Sequence, residues 1–273
     1  MWLWGVRALP SPPCRSLRGR PWTTASALIV PRKLGQRHRR GRIDSLNMVG
    51  RSFRNDCVKT IRPEGGKTIV LVAITVLNIG LEIEAIQALG AIATGDQPES
   101  EYMVTSGNYY NGGCCFDYGN AETNNNDDGA GTMEAVYFGN STGWGKGSGT
   151  GPWVMADLEN GLFAGKDFGP TASNTPLTST YLTAMVTGRS GTFAIKGGNA
   201  QSGALTTMYD GARPTMTGYN PMKKQGAIIL GIGGDNSNSA QGNFFEGCMT
   251  SGASSTATDD AVQDNIVAAG YGR

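Results

Sequence analysis

From about Thr94 onward, short apolar stretches alternate with clusters of glycine, asparagine, serine and threonine. Met133–Phe138, Trp153–Leu158, Tyr181–Val186, Thr192–Ile195, Ala204–Tyr209, Ala227–Ile232 and Asn243–Met249 each read as a strand bounded by turn residues. Several short strands with turn signals between them predict an antiparallel sandwich or barrel. Side chains alternate faces along a strand. Over Trp153–Asn160 this points Val154, Ala156 and Leu158 one way, and Trp153, Met155, Asp157 and Glu159 the other. Earlier in the chain, Thr68–Leu81 is apolar but too short to span a membrane. It reads as a buried strand or as a helix running on through Glu82–Ala93. One helix is predicted near the end. Thr258 can cap it, Asp259 and Asp260 suit its first turn, Val262, Ile266 and Ala269 share a face, and Gly270 can stop it.

Charge divides the 273 residues more sharply than hydropathy does. Residues 1–67 hold 15 basic residues and three acids, a net of +12, whereas residues 68–273 hold 8 basic residues and 19 acids, a net of −11. The basic segment reads as a disordered tail, a transit peptide or a nucleic-acid arm. It is not a convincing signal peptide, because Arg7, Pro10, Pro12 and Pro13 interrupt its apolar start. His38 is the only histidine and lies in that segment. Nucleophile–histidine pairs and histidine-based zinc sites are therefore excluded from the acidic region. Chemistry there rests on carboxylates, tyrosine, lysine or thiols.

Three places in the acidic region could carry chemistry. Asp157 and Glu159 share a strand face with Trp153, and carboxylates this close repel, so the proton affinity of at least one should shift unless something compensates. The bland alternative is a solvated strand face ending in a turn. Asp235 follows the apolar Ala227–Ile232 stretch and the Gly233-Gly234 pair, which lets the backbone approach something closely. The alternative there is an ordinary Asp-Asn turn. Cys114 and Cys115 are adjacent, either bonded to each other, paired elsewhere, or free buried thiols. Asn140-Ser141-Thr142 is a glycosylation sequon, meaningful in a secreted chain.

Taken in order, several blocks resemble one family. They are Cys114-Cys115-Phe116-Asp117-Tyr118-Gly119-Asn120-Ala121-Glu122-Thr123, Gly139-Asn140-Ser141-Thr142 with Trp144, Asp157-Leu158-Glu159-Asn160, Gly211-Ala212-Arg213-Pro214, Gly218-Tyr219-Asn220-Pro221 and Gly226 through Asn238. The chain from about Ala93 to Gly270 resembles the catalytic domain of glycoside hydrolase family 54, the fungal α-L-arabinofuranosidases B. The resemblance implies an all-β, concanavalin-like two-sheet sandwich, here incomplete. It implies an exo-acting, retaining hydrolase that removes terminal α-L-arabinofuranose from arabinan and arabinoxylan. By position Glu159 would be the nucleophile and Asp235 the general acid/base, in a mechanism that holds the two carboxyls about 5–5.5 Å apart. Cys114 and Cys115 would form a disulfide under the sugar, with Trp144, Asp157, Asn160 and Gly234 as further contacts.

Neither a metal nor an organic cofactor is implied. The partner would be an arabinose-containing plant cell-wall polysaccharide, with no nucleic acid and no membrane, for a secreted, monomeric protein bearing a glycan at Asn140. The expected organisation is a basic segment at 1–67, an apolar segment at 68–92 and a partial catalytic domain at 93–273. Residues 1–92 do not resemble the family's N-terminal portion, and its C-terminal arabinose-binding module is not seen. The competing expectation is a truncated homologue that binds sugar without cleaving it.

Overall fold

The computed structural model describes residues 57–61, 69–73 and 92–272. A hairpin of β1 (Cys57–Ile61) and β2 (Ile69–Ala73) comes first, with β2 running beside the last strand. Residues 1–56, 62–68 and 74–91 lie outside the described residues. The chain then forms β3 (Glu99–Thr105), β4 (Asp117–Ala121), β5 (Glu134–Gly139), β6 (Lys146–Gly147) and β7 (Trp153–Asp157). After these come β8 (Leu162–Phe163), β9 (Pro170–Thr171), β10 (Leu182–Arg189), β11 (Thr192–Asn199) and β12 (Thr206–Ala212). The last elements are β13 (Ala227–Leu230), β14 (Phe244–Ser251) and α1 (Thr256–Ala269).

Two antiparallel sheets of five strands carry the architecture. The first runs β12-β11-β10-β3-β14 and the second β13-β4-β5-β7-β8, while β6 and β9 form a small parallel pair. Between the sheets lie Met103, Phe116, Tyr118, Val136, Phe138, Val154, Ala156, Leu182, Val186, Phe193 and Ile195. The alternation predicted for β7 holds. Val154 and Ala156 join this core, whereas Trp153 and Met155 join Cys115, Tyr137 and Leu162 in a separate cluster. That second face is also buried, so it is not the solvated face of the bland reading. On the first sheet, α1 covers Tyr102, Val104, Met185 and Cys248 through Ile266 and Val262. Cys248, buried and unpaired among the described residues, is thus a small apolar filler. Among the described residues no helix is long and apolar enough to cross a membrane.

The helix differs from expectation at both its cap and its face. Ser255 is the cap, and its side chain accepts from the Thr258 backbone N–H at 3.2 Å. The buried face holds Asp259, Gln263 and Ile266, while Ala269 is exposed. Asp259 is buried because Lys196 on β11 reaches it at 2.7 Å. Gly270 ends the helix in the left-handed region, as its position predicted.

Strands β3 and β4 escaped the apolar pattern because they bury charge. Glu99 and Glu101 on β3 point into the sandwich with Glu134 of β5. Lys224 contacts Glu99 at 3.1 Å and Glu134 at 2.8 Å, and Arg213 joins Asp96 at 3.1 Å and Glu134 at 3.7 Å. Glu134 also lies against Gly188 of the opposite sheet, where a β-carbon would collide with its carboxylate. One carboxylate therefore joins two cations and both sheets. Glu134→Ala would take from Lys224 and Arg213 the carboxylate they share, leaving Glu99 and Asp96 as their single counter-charges, and should lower stability by about 2–3 kcal/mol. Urea unfolding of the two proteins measures this; a loss under about 1 kcal/mol would contradict it.

Candidate active site

The outer face of the second sheet ends in a cluster of carboxyl groups. Its centre is the turn between β7 and β8. Leu158 N–H donates to Gly161 O at 3.1 Å, so Glu159 and Asn160 form a two-residue hairpin loop. Their φ angles are +60° and +54°, the left-handed pair such a loop demands. Asparagine tolerates this region, but glutamate rarely enters it, at a cost on the order of 1–2 kcal/mol. Glu159 is held there regardless. Its N–H donates to Asp157 Oδ1 at 3.0 Å, and its carbonyl accepts from the buried Tyr219 hydroxyl at 3.0 Å. Such strain at a buried acid is a mark of function.

A second loop closes on this turn. Gly231 N–H donates to Asp117 O at 2.7 Å, and Gly233 N–H to Ser237 O at 2.9 Å. Asp235 Oδ1 accepts from the Ser237 N–H at 2.8 Å, leaving Asp235 exposed at the loop tip. Gly234 fits where nothing larger would. A β-carbon there would meet Glu122 Oε2 and stand 2.8 Å from Glu159 Oε2. Gly234 therefore brings this loop against the carboxyls of Glu122 and Glu159, with Asp235 the next residue along it.

Cys114 and Cys115 are bonded to each other. Ser239 ties them to the second loop: its N–H donates to Cys114 O at 3.0 Å, and its Oγ accepts from Cys114 N–H at 3.1 Å. Cys115 packs on Tyr137, Trp153, Met155 and Leu162, so the cluster under the site supports the disulfide. Both sulfurs lie within 4.8 Å of an Asp157 carboxylate oxygen. Bonded sulfurs are not thiolates, so this trio is an apolar platform beside an acid rather than a set of metal ligands.

The remaining expected residues lie around this centre. Trp144 is exposed, and the adjoining Gly145 N–H donates to Leu162 O at 2.9 Å, which sets it beside the β7–β8 hairpin. Asn160 is exposed on that hairpin. Asn140 is half-buried, with its Oδ1 closed off from solvent.

Electrostatics here are one-sided. None of the ion pairs among the described residues involves Asp117, Glu122, Asp157, Glu159 or Asp235. Burial, then Asp157, then Glu122 raise the Glu159 carboxyl above its usual range. Burial, followed by Glu122 and Asp235, pushes Asp157 up to about 7, against hydrogen bonds from Asp117 and the Glu159 N–H. Burial and Asp157 hold Asp117 well above the carboxylate range. The shift expected within the Asp157–Glu159 pair is therefore present on Glu159, which Asp157 and Glu122 both raise. Sequence reading passed over Asp117, Glu122 and Tyr219. The available signal was an acid at each end of the Asp117–Glu122 stretch directly after the paired cysteines, with no apolar alternation to explain it.

Fold and site together define an all-β sandwich whose sheet end carries a strained, buried glutamate, an exposed facing aspartate and a disulfide floor. A family model described as "Alpha-L-arabinofuranosidase B, catalytic" matches residues 70–272, and the chain belongs to that family. The match begins before Ala93, so residues 70–92 lie inside the family's span rather than outside it. An alpha-L-arabinofuranosidase of Hypocrea jecorina is 60% identical over 184 residues, covering 67% of this chain and 37% of the relative. A probable alpha-L-arabinofuranosidase B of Aspergillus terreus is also 60% identical, with 36% of its length covered. Among solved structures, a GH54 arabinofuranosidase soaked with a cyclic sulfate inhibitor superposes with a TM-score of 0.65 at 58% identity. It is covered over 37% of its length, against 66% of this chain. An arabinofuranosidase complexed with arabinofuranosyl-alpha-1,2-xylobiose gives 0.65 at 57% identity, with the same shares covered. The chain thus spans a little over a third of the relatives it matches.

The raised Glu159 carboxyl has a consequence for stability. A raised acid takes up a proton on folding, so stability falls as pH climbs from the unfolded value of about 4.3. Glu159→Gln removes that liability while keeping the turn. It should stabilise the chain by about 1 kcal/mol at pH 8, allowing for partial solvent screening, and by less at pH 5. Thermal unfolding at the two pH values checks this, and a variant less stable at pH 8 would contradict it.

Proposed function

We propose that this chain hydrolyses terminal, non-reducing α-L-arabinofuranosyl residues of arabinan and arabinoxylan with retention of configuration. The observation that carries the reading is Glu159, a buried acid in a left-handed turn that only a functional demand explains, faced by the Gly234–Asp235 loop. Glu159 attacks the anomeric carbon while Asp235 protonates the leaving oxygen. Asp235 then takes a proton from the water that releases the sugar from Glu159. Its exposure at the loop tip suits exchange of that proton with solvent.

The bonded Cys114–Cys115 pair forms the floor on which the furanose ring rests. Asp157, Asn160, Gly234 and Trp144 surround it with hydrogen-bonding groups and one exposed aromatic face. The disulfide favours an oxidising compartment, in line with secretion. Family membership and relatives named for this activity support the reading.

The test is release of nitrophenol from 4-nitrophenyl α-L-arabinofuranoside by the folded chain. Glu159→Gln should lower kcat on the order of 10³-fold or more, since the nucleophile is lost. Asp235→Asn should cost about 10²–10⁴-fold on arabinan but much less on the aryl glycoside, whose leaving group needs little protonation. Folded chain without turnover of either substrate would overturn the proposal.

A further inference from the structure

Asp117 is a titratable group that this mechanism does not use. It lies on β4, two residues after Cys115, with its side chain fully enclosed. Neither carboxyl oxygen meets an N–H or hydroxyl donor. The polar group that does reach it is the carboxyl of Asp157. The register explains how two acids on non-adjacent strands meet. Asp117 faces Tyr137, while Gly119 faces Ala135, which in turn faces Asp157. Gly119 and Ala135 are small, and a β-carbon on Gly119 would stand 2.5 Å from Ala135 Cα. The row between the two aspartates is therefore left open.

Two enclosed carboxylates in contact cannot both be ionised. A protonated carboxyl, by contrast, is a donor, and Asp157 is an acceptor already oriented by the Glu159 N–H. We infer that Asp117 is a positioning residue: it holds a proton and donates it to Asp157, fixing that carboxylate beside the disulfide to receive a sugar hydroxyl. The inference rests on the reading of Asp157 as a sugar contact. Glu122 at the end of β4, Glu159 in the hairpin, Asp235 on the facing loop, Tyr137 of β5 and Tyr219 surround the pair. None of them is a cation, so the proton is the means by which Asp157 keeps its charge.

Two substitutions separate this role from simple packing. Asp117→Asn keeps a donor of the same shape, whereas Asp117→Leu removes it. On 4-nitrophenyl α-L-arabinofuranoside, kcat/KM should fall about threefold or less for Asn and about 50-fold for Leu, the cost of a hydrogen bond to a charged group. Equal losses in both variants would overturn the inference. A second readout needs no activity. Above pH 8 Asp157, raised to about 7, has titrated, and a donating Asp117 must still hold its proton there, so the unsubstituted chain takes up one more proton on folding than Asp117→Asn does. Its folding constant should therefore drop relative to the variant by up to tenfold per pH unit between pH 8 and 9. Parallel pH profiles would mean that Asp117 is ionised, and would refute the inference. If the unsubstituted chain turns over no substrate, the proposed activity fails, and the stability comparison still decides the state of Asp117.

Discussion

Negative charge gathered without a cation is the constraint on which this site depends. Asp117, Glu122, Asp157 and Glu159 are buried together, and Asp235 stands at their edge. No ion pair among the described residues relieves them. Burial and mutual repulsion instead raise the proton affinity of Asp117, Asp157 and Glu159. The cluster is therefore a reservoir of protons and of charge that becomes available when a proton moves. A glycosidic cleavage needs both, a carboxylate to attack and an acid to protonate.

The sandwich solves the same problem differently a short distance away. Glu99 and Glu134 are equally buried, but Lys224 and Arg213 neutralise them. That arrangement is fixed and holds the two sheets together, and it keeps charge where no chemistry is required. The end that carries the candidate site is left with backbone devices. Gly234 admits two carboxyls to one place, the Asp157 side chain braces the Glu159 N–H, and Tyr219 braces its carbonyl. Stability stored in the sheets and core sustains a turn that glutamate would not adopt alone.

Much of this was legible in the sequence. The strands rich in apolar residues, from Met133–Phe138 to Asn243–Met249, announced a sandwich, and β7 showed its two faces correctly. Strands β3 and β4 did not, because their buried positions hold Glu99, Glu101, Asp117 and Asn120. Apolar patterning cannot find a strand whose burial depends on distant partners such as Lys224. The helix face was read only in part: Val262 and Ile266 do pack on the sheet, but Lys196 draws Asp259 inward as well. At the site, Glu159 and Asp235 stood out as acids near turns, but the residues alone favoured bland turns. Family motifs raised them. The positive φ of Glu159 then supplied a physical reason that composition could not contain, since it arises only when the hairpin closes.

The central claim is that Glu159 makes a covalent bond to the sugar. It is tested most directly by briefly mixing the chain with an activated 2-fluoro arabinofuranosyl donor, quenching in acid and sequencing the peptides by mass spectrometry. One pentosyl group on the peptide carrying Asp157-Leu158-Glu159-Asn160, localised to Glu159, is the result this account predicts. An unlabelled Glu159, or a label on Asp157, Glu122 or Asp235 instead, would contradict it.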